Sequence, residues 1–195
     1  MKKQTIAIIL VIAVLLITII GIVVATNSKN NNGETKIETV DQMKSMMKTI
    51  NSNLKEQLPQ LETDEIDVSD GEQVTVYTGL QSNKDVEKLV VSEPLMNAQA
   101  YSAATLKVKP GADIEKMKQE IVDNIDMRKW ICVSAEKLYV TNSDNIIFLV
   151  MADEDWAKPV YEEFKKIVDN KIGKELEKSE EEEDIELPSE MIVVQ

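Results

Sequence analysis

The 195-residue chain contains no histidine, one cysteine and one arginine, and only 4% of its residues are aromatic. Without histidine, neither a Ser–His catalytic pair nor a histidine metal site can form. The single cysteine, Cys132, excludes an internal disulfide and a Cys-x-x-Cys zinc or redox site. The sequence therefore predicts no cofactor and no metal site, and we expect a domain that is not an enzyme.

Basic residues are also scarce relative to acidic ones. The chain has 22 Lys and Arg against 35 Asp and Glu, which gives a formal net charge of −13. Binding to nucleic acid needs concentrated positive charge, so we expect no nucleic-acid partner. The same acidity repels anionic lipid headgroups, so attachment to a membrane must come from an apolar segment.

Such an apolar segment lies near the N-terminus. Residues 6–25 carry no charge, and fifteen of these twenty residues are Ile, Leu or Val. As a helix the segment is about 30 Å long, which matches the hydrocarbon core of a bilayer, and its insertion gains roughly 5 to 9 kcal/mol. We predict a transmembrane signal-anchor, with the C-terminal domain extracellular. The alternative is secretion after cleavage near Ala25.

The composition divides the chain into five regions. Residues 1–5 are predicted to be a cytoplasmic end, residues 6–25 the transmembrane segment, and residues 26–38 a flexible stalk. Residues 39–173 are long enough for one extracytoplasmic domain of ordinary size. Residues 174–195 include an unbroken acidic run, which favours a solvated tail.

Hydrophobic periodicity predicts an α+β fold, with a mainly antiparallel sheet packed by two or three helices and preceded by the transmembrane helix. Spacings of three and four predict helices that begin near Val40, Asp113 and Trp156. An acidic loop is expected from Gln60 to Gly71. The predicted strands span residues 74–78, 88–91, 101–108, 131–133, 138–141 and 146–151, with the last two joined as a hairpin.

Several short stretches carry a family resemblance. They are Glu93-Pro94, Ala98 to Tyr101, Val108-Lys109, Gly111 to Asp113, Arg128 to Val133 and Ala135-Glu136. On these residues the chain, from about 92 to 166, resembles the domain-of-unknown-function family numbered 4358, found in small extracytoplasmic proteins and lipoproteins of Gram-positive bacteria. The resemblance implies an envelope location and no particular activity. The missing lipid-attachment cysteine departs from those lipoproteins and favours a helical anchor.

Arg128, the sole arginine, stands beside Lys129 and Trp130. A planar guanidinium next to an aromatic ring is suited to bind a carboxylate or phosphate, so these three residues form the predicted binding site for a ligand or partner. The alternative is that Arg128 pairs with a carboxylate of the domain and Trp130 fills the core. Cys132 is expected to be a buried small hydrophobic side chain in the strand 131–133.

Together these features predict a non-catalytic binding or interaction module of the bacterial cell envelope, with the membrane and other envelope proteins as its partners. The alternative is a hydrolase that acts on cell-wall or membrane material through Asp or Glu side chains. A cleft in which two carboxylates converge would distinguish the two. A third hypothesis, a ligand sensor, requires another protein for its output, because only five residues precede the apolar segment.

Overall fold

Six antiparallel strands form one sheet with four helices in the part of the chain that the computed structural model describes, residues 36–96 and 98–180. The helices are α1 (Val40–Asn53), α2 (Gly71–Thr78), α3 (Ile114–Asn124) and α4 (Glu154–Ile167). The strands are β1 (Leu61–Ile66), β2 (Val86–Pro94), β3 (Tyr101–Val108), β4 (Lys137–Ser143), β5 (Ile146–Ala152) and β6 (Leu176–Ser179). Their order across the sheet is β1-β2-β3-β5-β4-β6.

The sheet is covered on both faces. Helices α1 and α4 pack on what we call the first face, against residues that include Ala103 and Phe148. Helices α2 and α3 pack on the second face, against residues that include Ala104 and Leu149. Because successive side chains of a strand point to opposite faces, every residue of the central strands β3 and β5 is buried.

The α+β class and the antiparallel sheet predicted from the sequence are confirmed, while the helices number four instead of two or three. Strand β3 has the predicted bounds, and the predicted hairpin is β4–β5. Helix α3 begins where the sequence placed it, because the side chain of Asp113 accepts a hydrogen bond from the N–H group of Lys116 at 3.1 Å.

The additional helix, α2, corrects the prediction of a strand over residues 74–78. Asp70 caps two backbone N–H groups at the start of this helix, at 3.1 and 3.2 Å. Gly79 ends the helix in the left-handed conformation, with a φ of 77°. Val74 is fully buried. These two end signals and the burial of Val74 outweigh the strand propensity of the β-branched residues between them.

Strand β1 corrects the prediction of an acidic loop over residues 60–71. It pairs with β2 from Leu61, opposite Pro94, to Ile66, opposite Leu89. Thr63 alone among its residues is buried, on the first face, where its hydroxyl lies 3.3 Å from that of Ser92. The acidic side chains of β1 are exposed, so the strand lacks the apolar alternation on which the sequence analysis relied.

The predicted strand over residues 131–133 is also wrong, because these residues belong to the loop between α3 and β4. Cys132 has a φ of 63° in the left-handed region, which no regular strand allows. Its side chain is exposed, which contradicts the prediction that it is buried. The neighbouring Ile131 is 75% exposed. The apolar sequence of this stretch therefore does not indicate a core element.

The sheet continues past residue 173, where the sequence analysis placed the start of the tail. Strand β6 pairs with β4, with Leu176 opposite Val140. The fully buried Lys118 of α3 stabilises this connection, since its ammonium contacts the carbonyl oxygen of Lys174 at 2.7 Å and Oδ1 of Asn142 at 2.7 Å. The folded region thus includes part of the segment that was predicted to be solvated.

The predicted transmembrane segment 6–25, most of the stalk and the distal tail lie outside the described residues. Within residues 36–96 and 98–180, no helix combines the length and the apolar character that a membrane span requires.

Candidate functional site

The three predicted site residues lie together in the loop between α3 and β4. The loop is closed by a hydrogen bond from the amide of Ala135 to the carbonyl oxygen of Met127, at 2.8 Å. Arg128 is 56% exposed along its side chain, and its Nε pairs with the carboxylate of Glu180. Trp130 is partly buried and packs against the second-face core. These two contacts match the alternative that the sequence analysis left open for Arg128 and Trp130.

Lys129 points inward, and its side chain is only 12% exposed. Its ammonium donates to Oε1 of Glu93 at 2.6 Å and to the hydroxyl of Ser102 at 3.2 Å. It also lies 4.7 Å from the ring centroid of Tyr77 and 5.3 Å from that of Trp130, within the range of cation–π attraction. Burial lowers the pKa of Lys129, and the neighbouring carboxylate of Glu93 partly opposes this shift.

Beside this lysine an open cleft of about 240 Å³ lies between the second face of the sheet and α2. We call it the β1–β2 cleft. Its walls come from the edge strand β1, the end of β2 and one side chain of α2. The lining residues are Glu62, Asp64, Ile66, Tyr77, Val91, Glu93, Pro94 and Leu95.

Three carboxylates line this cleft because of strand register. Glu62 lies directly opposite Glu93, and Asp64 lies opposite Val91, so all three acidic side chains point to the second face. Like charges opposite each other destabilise a sheet, and Lys129 offsets that repulsion only at Glu93. Among the described residues, neither Glu62 nor Asp64 has an ion-pair partner.

Tyr77 supplies the aromatic wall of the cleft. Burial raises the pKa of its hydroxyl, and the charges of Glu93 and Asp64 raise it further. The phenol therefore stays protonated at neutral pH and presents an uncharged ring. Leu95, which is 55% exposed, adds an apolar rim. An aromatic ring, an apolar rim and unpaired carboxylates together suit a cationic group with a hydrocarbon stem.

Sequence reasoning identified the loop 128–130 but not Glu62, Asp64, Tyr77 or Glu93 as site residues. Lys129 and Glu93 are 36 residues apart in the chain, and only the tertiary fold brings the loop after α3 to the end of β2. For Glu62 and Asp64 the one available signal was their spacing of two residues, which places both on one face of a strand.

A larger depression, of about 770 Å³, lies at the start of α4 between Gln57, Trp156 and Pro159. It is a broad surface hollow that contains none of the predicted site residues. A smaller groove of about 220 Å³ runs beside the stacked rings of Tyr139 and Tyr161, whose centroids are 5.0 Å apart. We favour the β1–β2 cleft because it adjoins Lys129 and because two of its carboxylates, those of Glu62 and Asp64, have no ion-pair partner among the described residues.

No protein-family model matches the chain, and no match was found among curated proteins or solved structures. Within residues 36–96 and 98–180, no three acidic or cysteine side chains are grouped closely enough to hold a metal ion.

Proposed function

We propose that the protein is a membrane-anchored, non-catalytic binding module of the bacterial cell envelope, and that its β1–β2 cleft holds a cationic group of a partner. The observation that carries the proposal is the pair Glu62 and Asp64, two carboxylates that face an open cleft and have no counter-ion among the described residues. An unpaired carboxylate gains a charge-assisted hydrogen bond when a donor cation reaches it.

The net negative charge of the cleft favours a cationic ligand over an anionic one. Three carboxylates line it, and the one ammonium beside it, that of Lys129, neutralises Glu93, so the net charge of this group is −2. Arg128 and Lys129 both have carboxylate partners within the domain. We therefore propose that the loop of these two residues and Trp130 supports the cleft from the side, through the contact of Lys129 with Glu93, and that the ligand is cationic, not the anion that the sequence first suggested.

The position of the cleft also supports a tethered binding module. The chain enters the domain at Glu38, whose carboxylate and carbonyl oxygens lie 2.9 and 3.1 Å from the ammonium of Lys107. Lys107 lies near the end of β3, whereas Glu93 lies near the end of the antiparallel strand β2. Glu38 and the cleft are therefore at opposite ends of this pair of strands. The apolar segment 6–25 supports the envelope location.

The test is partner capture that depends on the cleft. Full-length protein is crosslinked in intact cells through a photoreactive residue at Leu95 and purified from detergent extracts. Wild type should recover a defined set of proteins, and the variant Glu62→Gln/Asp64→Asn should lose them. The matched control is Glu65→Gln, which removes an exposed charge from the same strand. The proposal fails if wild type captures nothing, or if the cleft variant captures the same proteins.

A second function is favoured by one observation, which is that three carboxylates line this cleft. In that case the protein is a hydrolase of cell-wall or membrane material, and two of the carboxylates serve as acid and base. Purified protein should then release soluble fragments from isolated cell walls, and Glu62→Gln or Glu93→Gln should abolish the release. Turnover that survives both substitutions would exclude these residues as the catalytic groups.

A further inference from the structure

Resting on the proposed function, we infer that the partner is bound as an extended basic segment. In this arrangement the segment adds as a seventh strand to the free edge of β1 and places alternate lysine or arginine side chains against Glu62 and Asp64.

The first observation is the free edge itself. Strand β1 ends the sheet order and pairs only with β2 among the described residues. Its outer edge therefore presents unpaired N–H and C=O groups along six residues, Leu61–Ile66. Such an edge is a ready template for an incoming strand, and its main-chain hydrogen bonds give affinity without regard to sequence.

The second observation is the fixed register of β1. Thr63 is held on the first face by its contact with Ser92, and the side-chain amide of Asn51 donates to Ser92 at 2.8 Å. Glu62 and Asp64 are consequently both on the second face, about 7 Å apart along the strand. A strand added at this edge would place side chains with the same two-residue spacing beside them. The cleft thus selects basic residues at alternate positions.

Charge complementarity favours a basic segment over two other possible occupants of this edge, a second copy of the protein and the acidic C-terminal segment of the same chain. A second copy paired edge to edge would bring Glu62, Asp64 and Glu65 against the same acidic residues, which is destabilising. The segment 180–184 of the chain itself is entirely acidic and meets the same repulsion. A lysine or arginine side chain, by contrast, can lay its hydrocarbon stem on Leu95 and bring its charge to the carboxylates of Glu62 and Asp64.

The experiment uses full-length protein in a neutral detergent and a fluorescent peptide of alternating lysine and threonine. Binding is measured by anisotropy. The matched peptide of alternating glutamate and threonine should bind at least tenfold more weakly. The variant Glu62→Gln/Asp64→Asn should weaken binding of the lysine peptide at least tenfold, and Glu65→Gln less than threefold.

Strand pairing is tested separately from charge. Two further lysine peptides carry N-methyl groups on every second backbone amide. One peptide is methylated at the odd-numbered amides and the other at the even-numbered amides, so that only one of them blocks the N–H groups that face β1. Methylation of the amides that face β1 should abolish binding, whereas methylation of those that face solvent should leave it within threefold. This asymmetry is expected only for a strand added at an edge, since capture of a side chain alone does not depend on one set of amides.

Three outcomes would overturn the inference. Equal affinity of both methylated peptides would mean that the cleft binds lysine side chains without pairing, which leaves the proposed function intact. Absence of lysine-peptide binding, while cleft-dependent crosslinking persists, would show a partner of other chemistry. A tenfold gain in affinity on deletion of residues 181–195 would show that the edge belongs to the chain's own tail.

Discussion

Gly79 allows the end of α2 to pack closely against the backbone at Ile125. Its φ of 77° is in the left-handed region, and a Cβ atom there would lie 2.5 Å from the backbone nitrogen of Ile125. Gly79→Ala should therefore lower the free energy of unfolding by about 2 to 4 kcal/mol, from backbone strain and steric overlap together. Urea denaturation measures the loss.

Gly111 provides the control, because its φ is 87° but a Cβ atom added there would have no neighbour within 4 Å. Gly111→Ala should cost about 1 to 2 kcal/mol, from backbone strain alone. Equal losses for the two variants would contradict the idea that close packing of α2 against Ile125 matters at Gly79.

Lys129 is the charged residue on which the cleft most depends. Lys129→Met would leave the carboxylate of Glu93, which is 31% exposed, without its counter-ion and opposite the like charge of Glu62. We expect a loss of about 1 to 3 kcal/mol at neutral pH. The double variant Lys129→Met/Glu93→Gln should regain part of this loss, because it removes the unpaired charge. A double variant less stable than Lys129→Met would contradict the ion-pair account.

The lowered pKa of Lys129 also predicts that the stability of the protein depends on pH. Burial lowers the pKa of Lys129 below its ordinary value of 10.5, so between the two values the unfolded chain binds more protons than the folded one. Stability then rises with pH in that range. The free energy of unfolding of wild type, relative to Lys129→Met, should increase from neutral pH towards 10.5. A constant or falling difference in urea denaturation would be inconsistent with a buried ammonium.

At the residue scale, the sequence singled out the loop that borders the cleft but not the partners of its residues. A lone arginine beside a lysine and a tryptophan is visible in any sequence. The contacts of Arg128 with Glu180 and of Lys129 with Glu93 join residues that are 52 and 36 positions apart in the chain. Local sequence carries no information about such pairs.

At the element scale, truncation of the chain before β6 tests how much this edge strand contributes to stability. A chain that ends at Gly173 loses the Leu176–Val140 pairing and leaves the buried ammonium of Lys118 without the carbonyl oxygen of Lys174. We expect it to be less stable than the full chain by about 2 to 4 kcal/mol. A chain that ends at Glu180 should lie within about 1 kcal/mol of the full chain. Equal stability of the two truncated chains would show that β6 contributes nothing.

The elements predicted correctly are those whose signals are local. Polar and apolar residues alternate from Thr105 to Val108 of strand β3, Pro110-Gly111 follows this strand, and the β4–β5 hairpin has a turn rich in polar residues. Strand β1 and helix α2 were missed for the opposite reason. Pairing with β2 makes an acidic stretch a strand, and burial of Val74 makes a β-branched stretch a helix.

At the scale of the whole molecule, the apolar segment 6–25 is predicted to anchor the domain at a membrane. We predict that full-length protein stays in the membrane pellet after an alkaline wash and dissolves only in detergent, because insertion of the segment is strongly favourable. Protease added to intact cells should digest the C-terminal domain. Deletion of residues 6–25 should leave the protein in the soluble cell fraction. A mature protein that begins at residue 26 would instead support cleavage and secretion.

The sequence by itself determined the α+β class, the helices α1, α3 and α4, the strand β3 and the β4–β5 hairpin, because side-chain periodicity and end signals act over a few residues. Only the tertiary structure decided that β1 and β6 are the edges of the sheet in residues 36–96 and 98–180, and that Glu62, Asp64, Tyr77 and Glu93 share one cleft. The physical reason is that strand pairing and burial on both faces of a sheet depend on contacts between distant parts of the chain.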